Sequence, residues 1–171
     1  MTNNGPAELD LRIDADGWKQ FDDLEEIIRK SFNAALESVD LLPTTASATI
    51  ILSDNSAIEK LNRQWRDKDT ATNILSFPAP DGEKTETGLD YLGDMILAYD
   101  VVNKEALQQS KALETHLCHL VIHGALHLLG YDHIADDEAD KMEDLERTAM
   151  TALKLPDPYL PVVPLRNEVE N

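Results

Sequence analysis

The stretch His123-Gly-Ala-Leu-His127-Leu-Leu-Gly130-Tyr-Asp-His133 constrains this chain more than any other. Its histidines stand at i, i+4 and i+10, with a glycine at i+7. On a helix, residues four apart lie one above the other on the same face. His123 and His127 therefore offer two imidazole nitrogens to one point. A straight helix would carry position i+10 past that point, so the helix must end in between. Gly130 is the residue that can end it, because glycine tolerates the left-handed turn that closes many helices. A turn there swings His133 back toward the other two. Three neutral nitrogen donors with a fourth position open make the ligand set of a catalytic zinc centre rather than of a closed structural one.

All five histidines of the chain lie between 116 and 133. At about 100° per residue, His116, His119, His123 and His127 share one broad helical stripe. A trio of His119, His123 and His127 would spread over ~12 Å of helical rise. Zinc–nitrogen bonds are only ~2.0–2.1 Å long, so His133 is the better third ligand. His119 is expected to line the cleft or support the ligands, and His116 to be a packing or surface residue. The spacing resembles the metzincin pattern His-Glu-x-x-His-x-x-Gly-x-x-His. The glutamate that serves those peptidases as general base is replaced here by Gly124. The metal scaffold is kept and the peptidase base is missing.

The chain has 171 residues, the size of one domain with a tail. Proline at 156, 158, 161 and 164 marks an extended, acidic tail over 155–171, which leaves a single domain over 1–154. There is no apolar run of the ~20 residues a membrane span needs. The first residues lack the basic and apolar regions of a signal peptide. Cys118 is the single cysteine, so no internal disulfide framework exists. It is expected to be a small buried residue. These features point to a cytoplasmic protein without membrane association. The net charge is 15 − 33 = −18, the opposite of the basic excess usual in a simple nucleic-acid binder. Local patches decide binding, however, and net charge sets only the background field.

Periodicity predicts the order β-α-β-α-β-β-α-α-α. The strands are expected at 8–13, 46–52, 72–77 and 92–99, and the last two as an antiparallel pair with one at an edge near the metal helix. The helices are expected at 18–39, capped by Asp16; from Asp54 or Ser56 to Trp65; from 101 to 109; from 113 to 129; and from 136 to 153. The fold class is α/β (α+β): a small, mixed, four-stranded sheet packed with about five helices, with the zinc-binding helix beside the sheet.

Arg63, Arg66 and Lys68 form a basic island in an acidic chain. Arg63 can pair with Glu59 at i, i+4. Arg66 falls where the helix gives way to a loop, and a guanidinium near a metal can clamp a phosphate bidentately. Asp132, beside the third histidine, is either a support for an imidazole or an ordinary turn residue. The run Asp136-Asp-Glu138 suits the N-terminal end of a helix, and Met142, Leu145, Met150 and Leu153 suit its core-facing side.

These stretches together carry a resemblance. Leu61-Asn62, Arg66, Thr72-Asn-Ile-Leu-Ser-Phe-Pro78, Leu92-Gly-Asp94, the histidine motif, Asp136-Asp-Glu-Ala139, Met142-Glu143 and Leu145-Glu146 resemble the YbeY family of metal-dependent bacterial endoribonucleases. The likeness runs over about residues 61–153. It implies a small α/β domain in which His123, His127 and His133 bind one zinc ion and Arg66 assists RNA cleavage. It implies single-stranded ribosomal RNA as substrate, notably the 3′ end of the small-subunit RNA, and a role in ribosome quality control. The strong negative charge favours RNA already held in the small ribosomal subunit or by a protein partner, such as a ribosomal protein or assembly factor. Two other readings remain open: a zinc-stabilised ribosome-assembly factor without turnover, and a zinc hydrolase of another class, such as a peptidase. Oligomeric state is not fixed by the sequence.

Overall fold

A computed structural model of the chain describes residues 5–65 and 72–160. Four strands form one mixed sheet in the order β1-β2-β4-β3, with β1 at Glu8–Ile13, β2 at Ala46–Ser53, β3 at Ile74–Pro78 and β4 at Asp90–Ala98. The pairs β1/β2 and β2/β4 are parallel, and β3 runs antiparallel to β4 on the edge. Five helices complete the element order: α1 (Leu24–Ser38), α2 (Asn55–Trp65), α3 (Tyr99–Gln108), α4 (Leu113–Leu128) and α5 (Asp136–Ala152). The expected fold class is the observed one.

Strand residues alternate between two faces, and the sheet uses both. Ala48, Ile50 and Leu52 of β2, with Met95 and Leu97 of β4, join the large core built with α1, α4 and α5. Leu75 of β3 and Ala98 of β4 point the other way and meet Ile58 of α2, with Leu61, Phe77, Ile96 and Val101 packed around them. The helix α4 lies in the large core, where Leu117, Val121, Ile122, Ala125 and Leu126 are fully buried. At Gly124 it lies against Ile74 and Ser76 of the edge strand β3.

The first helix differs from expectation. The spacing predicts one helix over 18–39 capped by Asp16. Instead a short 3₁₀ turn covers Asp16–Gln20, and α1 starts at Leu24 after Asp23. Trp18 explains the break. Its indole N–H donates to the Ser53 carbonyl at 2.8 Å, and its ring stacks on Phe21 and meets Tyr99 edge-on. A buried anchor on a neighbouring strand outweighs the helical periodicity of the segment. Elsewhere the differences are a residue or two: β3 starts at Ile74, β4 at Asp90 and α3 at Tyr99. Asp54 is the residue that caps α2, its carboxylate accepting the Ala57 N–H at 2.9 Å.

After α5 the chain does not leave the domain at once. Residues 155–160 fold back across α4 and α5. Arg147 on α5 donates to the Asp157 carboxylate at 3.1 Å. Lys111, just before α4, donates to the Pro158 carbonyl at 2.9 Å. Residues 161–171 lie outside the described residues.

Candidate metal centre

The helix α4 ends as the glycine suggested. The Gly130 N–H donates to the His127 carbonyl at 3.0 Å, and the Tyr131 N–H to the Leu126 carbonyl at 3.1 Å. This pair of bonds is the Schellman closure. Gly130 takes φ +94°, a region where L side chains are strained. The reversal returns His133 to the face of α4.

The outcome is a cluster of His123, His127 and His133, with one ring nitrogen of each within 4.8 Å of the others. His123 Nε2 and His127 Nε2 face each other at 3.0 Å. The ring centroids of His133 lie 5.6 Å from His123 and 5.2 Å from His127. Tetrahedral zinc with bonds of ~2.0–2.1 Å needs nitrogens about 3.4 Å apart, so small ring rotations suffice to admit an ion. Burial pushes the His127 pKa below its ordinary value, and the neighbouring His123 and His133 add to the shift. His127 is thus held in the neutral form that has a lone pair to give. The His133 side chain is more than half exposed, so the cluster opens to solvent on that side. The donor set fits a divalent ion such as zinc.

A carboxylate that periodicity did not flag completes the arrangement. Glu146 on α5 is fully buried. Its Oε1 accepts from His123 Nδ1 at 2.5 Å and lies 3.4 Å from His119 Nε2. Its Oε2 accepts from the Tyr159 hydroxyl. Desolvation alone would raise this carboxyl, but the nearby His119 imidazole and the hydrogen bonds from His123 and Tyr159 outweigh it and hold the pKa at about 2. The sequence did hold a signal for Glu146. It occupies the same helical stripe as Met142, Ala149 and Met150, a carboxylate set in an apolar face. Tyr159, beyond the last helix and among prolines, gave none.

His116 packs away from the cluster. Its Nε2 meets Glu105 Oε2 of α3 at 2.8 Å, and that carboxylate also accepts from the Asn73 amide at the start of β3. Asp132 Oδ1 accepts the His133 N–H at 2.7 Å and lies 3.9 Å from the His133 imidazole. Arg63 pairs with Glu59 at 3.3 Å, as its spacing predicted. Arg66 and Lys68 lie outside the described residues.

Gly124 stands where a metzincin would carry its glutamate. A Cβ there would meet Ile74 Cδ1 at 2.6 Å, Met95 Cε at 2.9 Å and Ser76 Oγ at 3.1 Å. The Ser76 hydroxyl donates to the Gly124 carbonyl at 3.2 Å. The glycine lets α4 lie close against the β3–β4 edge, and any side chain there would have to displace the ends of Ile74 and Met95.

The family model described as Endoribonuclease YbeY matches residues 12–154. The chain belongs to the YbeY family. A relative from Azorhizobium caulinodans named Endoribonuclease YbeY is 46% identical over 156 residues, covering 89% of this chain and 96% of its own. A relative of the same name from Zymomonas mobilis is 53% identical over 117 residues, 65% of this chain and 66% of its own. A solution structure of a Thermotoga maritima protein matches the fold with a TM-score of 0.52 at 23% identity, covering 89% of this chain and 99% of that one. The YbeY family match spans every element from the end of β1 to α5, and so includes the histidine cluster and Glu146 alike.

Proposed function

We propose that this chain is a zinc-dependent, single-strand-specific endoribonuclease acting in maturation of the 3′ end of small-subunit ribosomal RNA and in ribosome quality control. His123, His127 and His133 hold the one ion. The observation that carries the reading is the convergence of three imidazole nitrogens on one point, in a chain of the YbeY family. A bound zinc ion supplies Lewis acidity and lowers the pKa of a coordinated water. The chain's own residues do the rest. Glu146 fixes the His123 ring, the Gly130 turn presents His133, and Arg66 neutralises charge that builds on the phosphoryl oxygens. Gly124, which carries no general base, counts against a peptidase. With a net charge of −18, the chain meets its RNA where the ribosome or a protein partner has neutralised the phosphates, in the cytoplasm.

The test uses a precursor fragment of small-subunit RNA with wild type, His127→Ala and Arg66→Ala, after metal analysis of each protein. Wild type is expected to cleave, and His127→Ala and chelator-treated protein to be inactive. Arg66→Ala should keep its metal and lose about 100-fold or more in rate. Full activity of metal-loaded Arg66→Ala would remove the phosphate clamp. A metal-loaded wild type that binds the RNA particle without cutting would favour the assembly factor without turnover. Cleavage that survives chelation and both substitutions would come from a contaminating nuclease.

A further inference from the structure

We infer that Glu146 and Tyr159 form a positioning relay that ties the segment 155–160 to the metal centre. Through this relay, a turn beyond the last helix sets how tightly the ion is held. The inference rests on the histidine cluster being a metal site.

The chain of contacts is continuous. The Tyr159 hydroxyl donates to Glu146 Oε2, and His123 Nδ1–H donates to Glu146 Oε1 at 2.5 Å. With Nδ1 committed as a donor, the lone pair of His123 is placed on Nε2, the atom that faces His127. A carboxylate in that position fixes tautomer and ring angle and makes the imidazole a stronger base toward metal. Glu146 is fully buried, so every one of its partners must come from the protein. Tyr159 supplies one of them, and it is held for the purpose. Asp157 accepts the Tyr159 N–H at 2.8 Å and is itself paired with Arg147. The Arg147 guanidinium lies over the Tyr159 ring at 5.2 Å, and the ring meets His119 edge-on at 5.5 Å. Lys111 fastens the turn at the Pro158 carbonyl.

His119, His123 and Glu146 could also be read as ligands of a second ion, since their donor atoms lie within 4.8 Å of one another. The closed hydrogen bond between His123 Nδ1 and Glu146 favours support of one ion over ligation of two. Stoichiometry separates the cases.

The experiment is a zinc titration of full-length wild type, Glu146→Gln, Tyr159→Phe and the double variant, each against a competing chelator, with a denaturation curve of the metal-free proteins. The expected result is one zinc per wild-type chain, with affinity lowered about 10–100-fold in Glu146→Gln and several-fold in Tyr159→Phe. The double variant should match Glu146→Gln, because Tyr159 acts through the carboxylate. Wild-type affinity in Glu146→Gln, whatever its stability, would overturn the relay while leaving the metal centre standing if His127→Ala still loses zinc. Two zinc ions per wild-type chain would also overturn it. A wild type that binds no zinc would overturn the metal reading and the relay with it.

Discussion

At the scale of single residues, the centre depends on a few side chains with little freedom. Gly124 illustrates the point. Restoring the peptidase-like glutamate with Gly124→Glu would force a carboxylate between α4 and the β3–β4 edge, where even a Cβ lies 2.6 Å from Ile74. An unpaired charge buried there costs about 3 kcal/mol or more. A large drop in the urea midpoint and no gain of peptidase activity are expected. His116 gives a residue-level pH dependence. Burial pushes its pKa below the ordinary 6.5, outweighing the hydrogen bond to Glu105. The unfolded chain therefore binds this proton more readily than the folded one. The stability it contributes is fully present above ~6.5 and is lost as pH falls through that value toward the lowered folded pKa. Urea midpoints measured across pH 7.5 to 5 should fall more steeply in wild type than in His116→Gln. Parallel profiles would mean that His116 does not titrate on unfolding.

At the scale of elements, the centre is made by how α4 stops. The Schellman closure at Gly130 is the device that brings His133 into the cluster. Among the described residues a Cβ at Gly130 would touch nothing within 4 Å, so the cost of Gly130→Ala comes from its φ of +94°, about 1–2 kcal/mol. That strain relaxes if the turn opens and His133 moves away. Gly130→Ala is accordingly expected to remain folded and to bind zinc more weakly, as measured by chelator competition. Unchanged affinity would mean that the turn tolerates the side chain without moving His133. This element was legible in the sequence, because histidine spacing and a glycine at i+7 encode a helix, a stop and a return. The start of α1 was not. Trp18 stands at helical spacing from Phe21, yet its indole is claimed by the Ser53 carbonyl of β2. A contact 35 residues away leaves no trace in local periodicity.

At the scale of the molecule, the mixed character of the sheet followed from helices placed between strands, with the short β3–β4 return as the antiparallel exception; the order β1-β2-β4-β3, which seats β4 between β2 and β3, left no mark in local periodicity. The clustering of His123, His127 and His133 followed from spacing. Spacing places Glu146 as a carboxylate in an apolar stripe; what it could not give was the pairing of Glu146 with His123 and with Tyr159 beyond the helix, which only folding makes. The charge of −18 also acts at this scale. It repels free RNA, so binding of naked single strands should be weak, with a shallow dependence on salt. Precursor RNA within small-subunit particles should be cut faster than the same RNA stripped of protein. Equal rates would remove the argument for a ribosome-held substrate. Whether RNA is cut at the histidine cluster is decided by adding zinc back to chelator-stripped protein while following cleavage of precursor small-subunit RNA. Activity should be absent at the start, rise with zinc and level off at one ion per chain, with no recovery in His127→Ala. Cleavage by the metal-free protein at the rate of the loaded one would contradict cutting at the cluster.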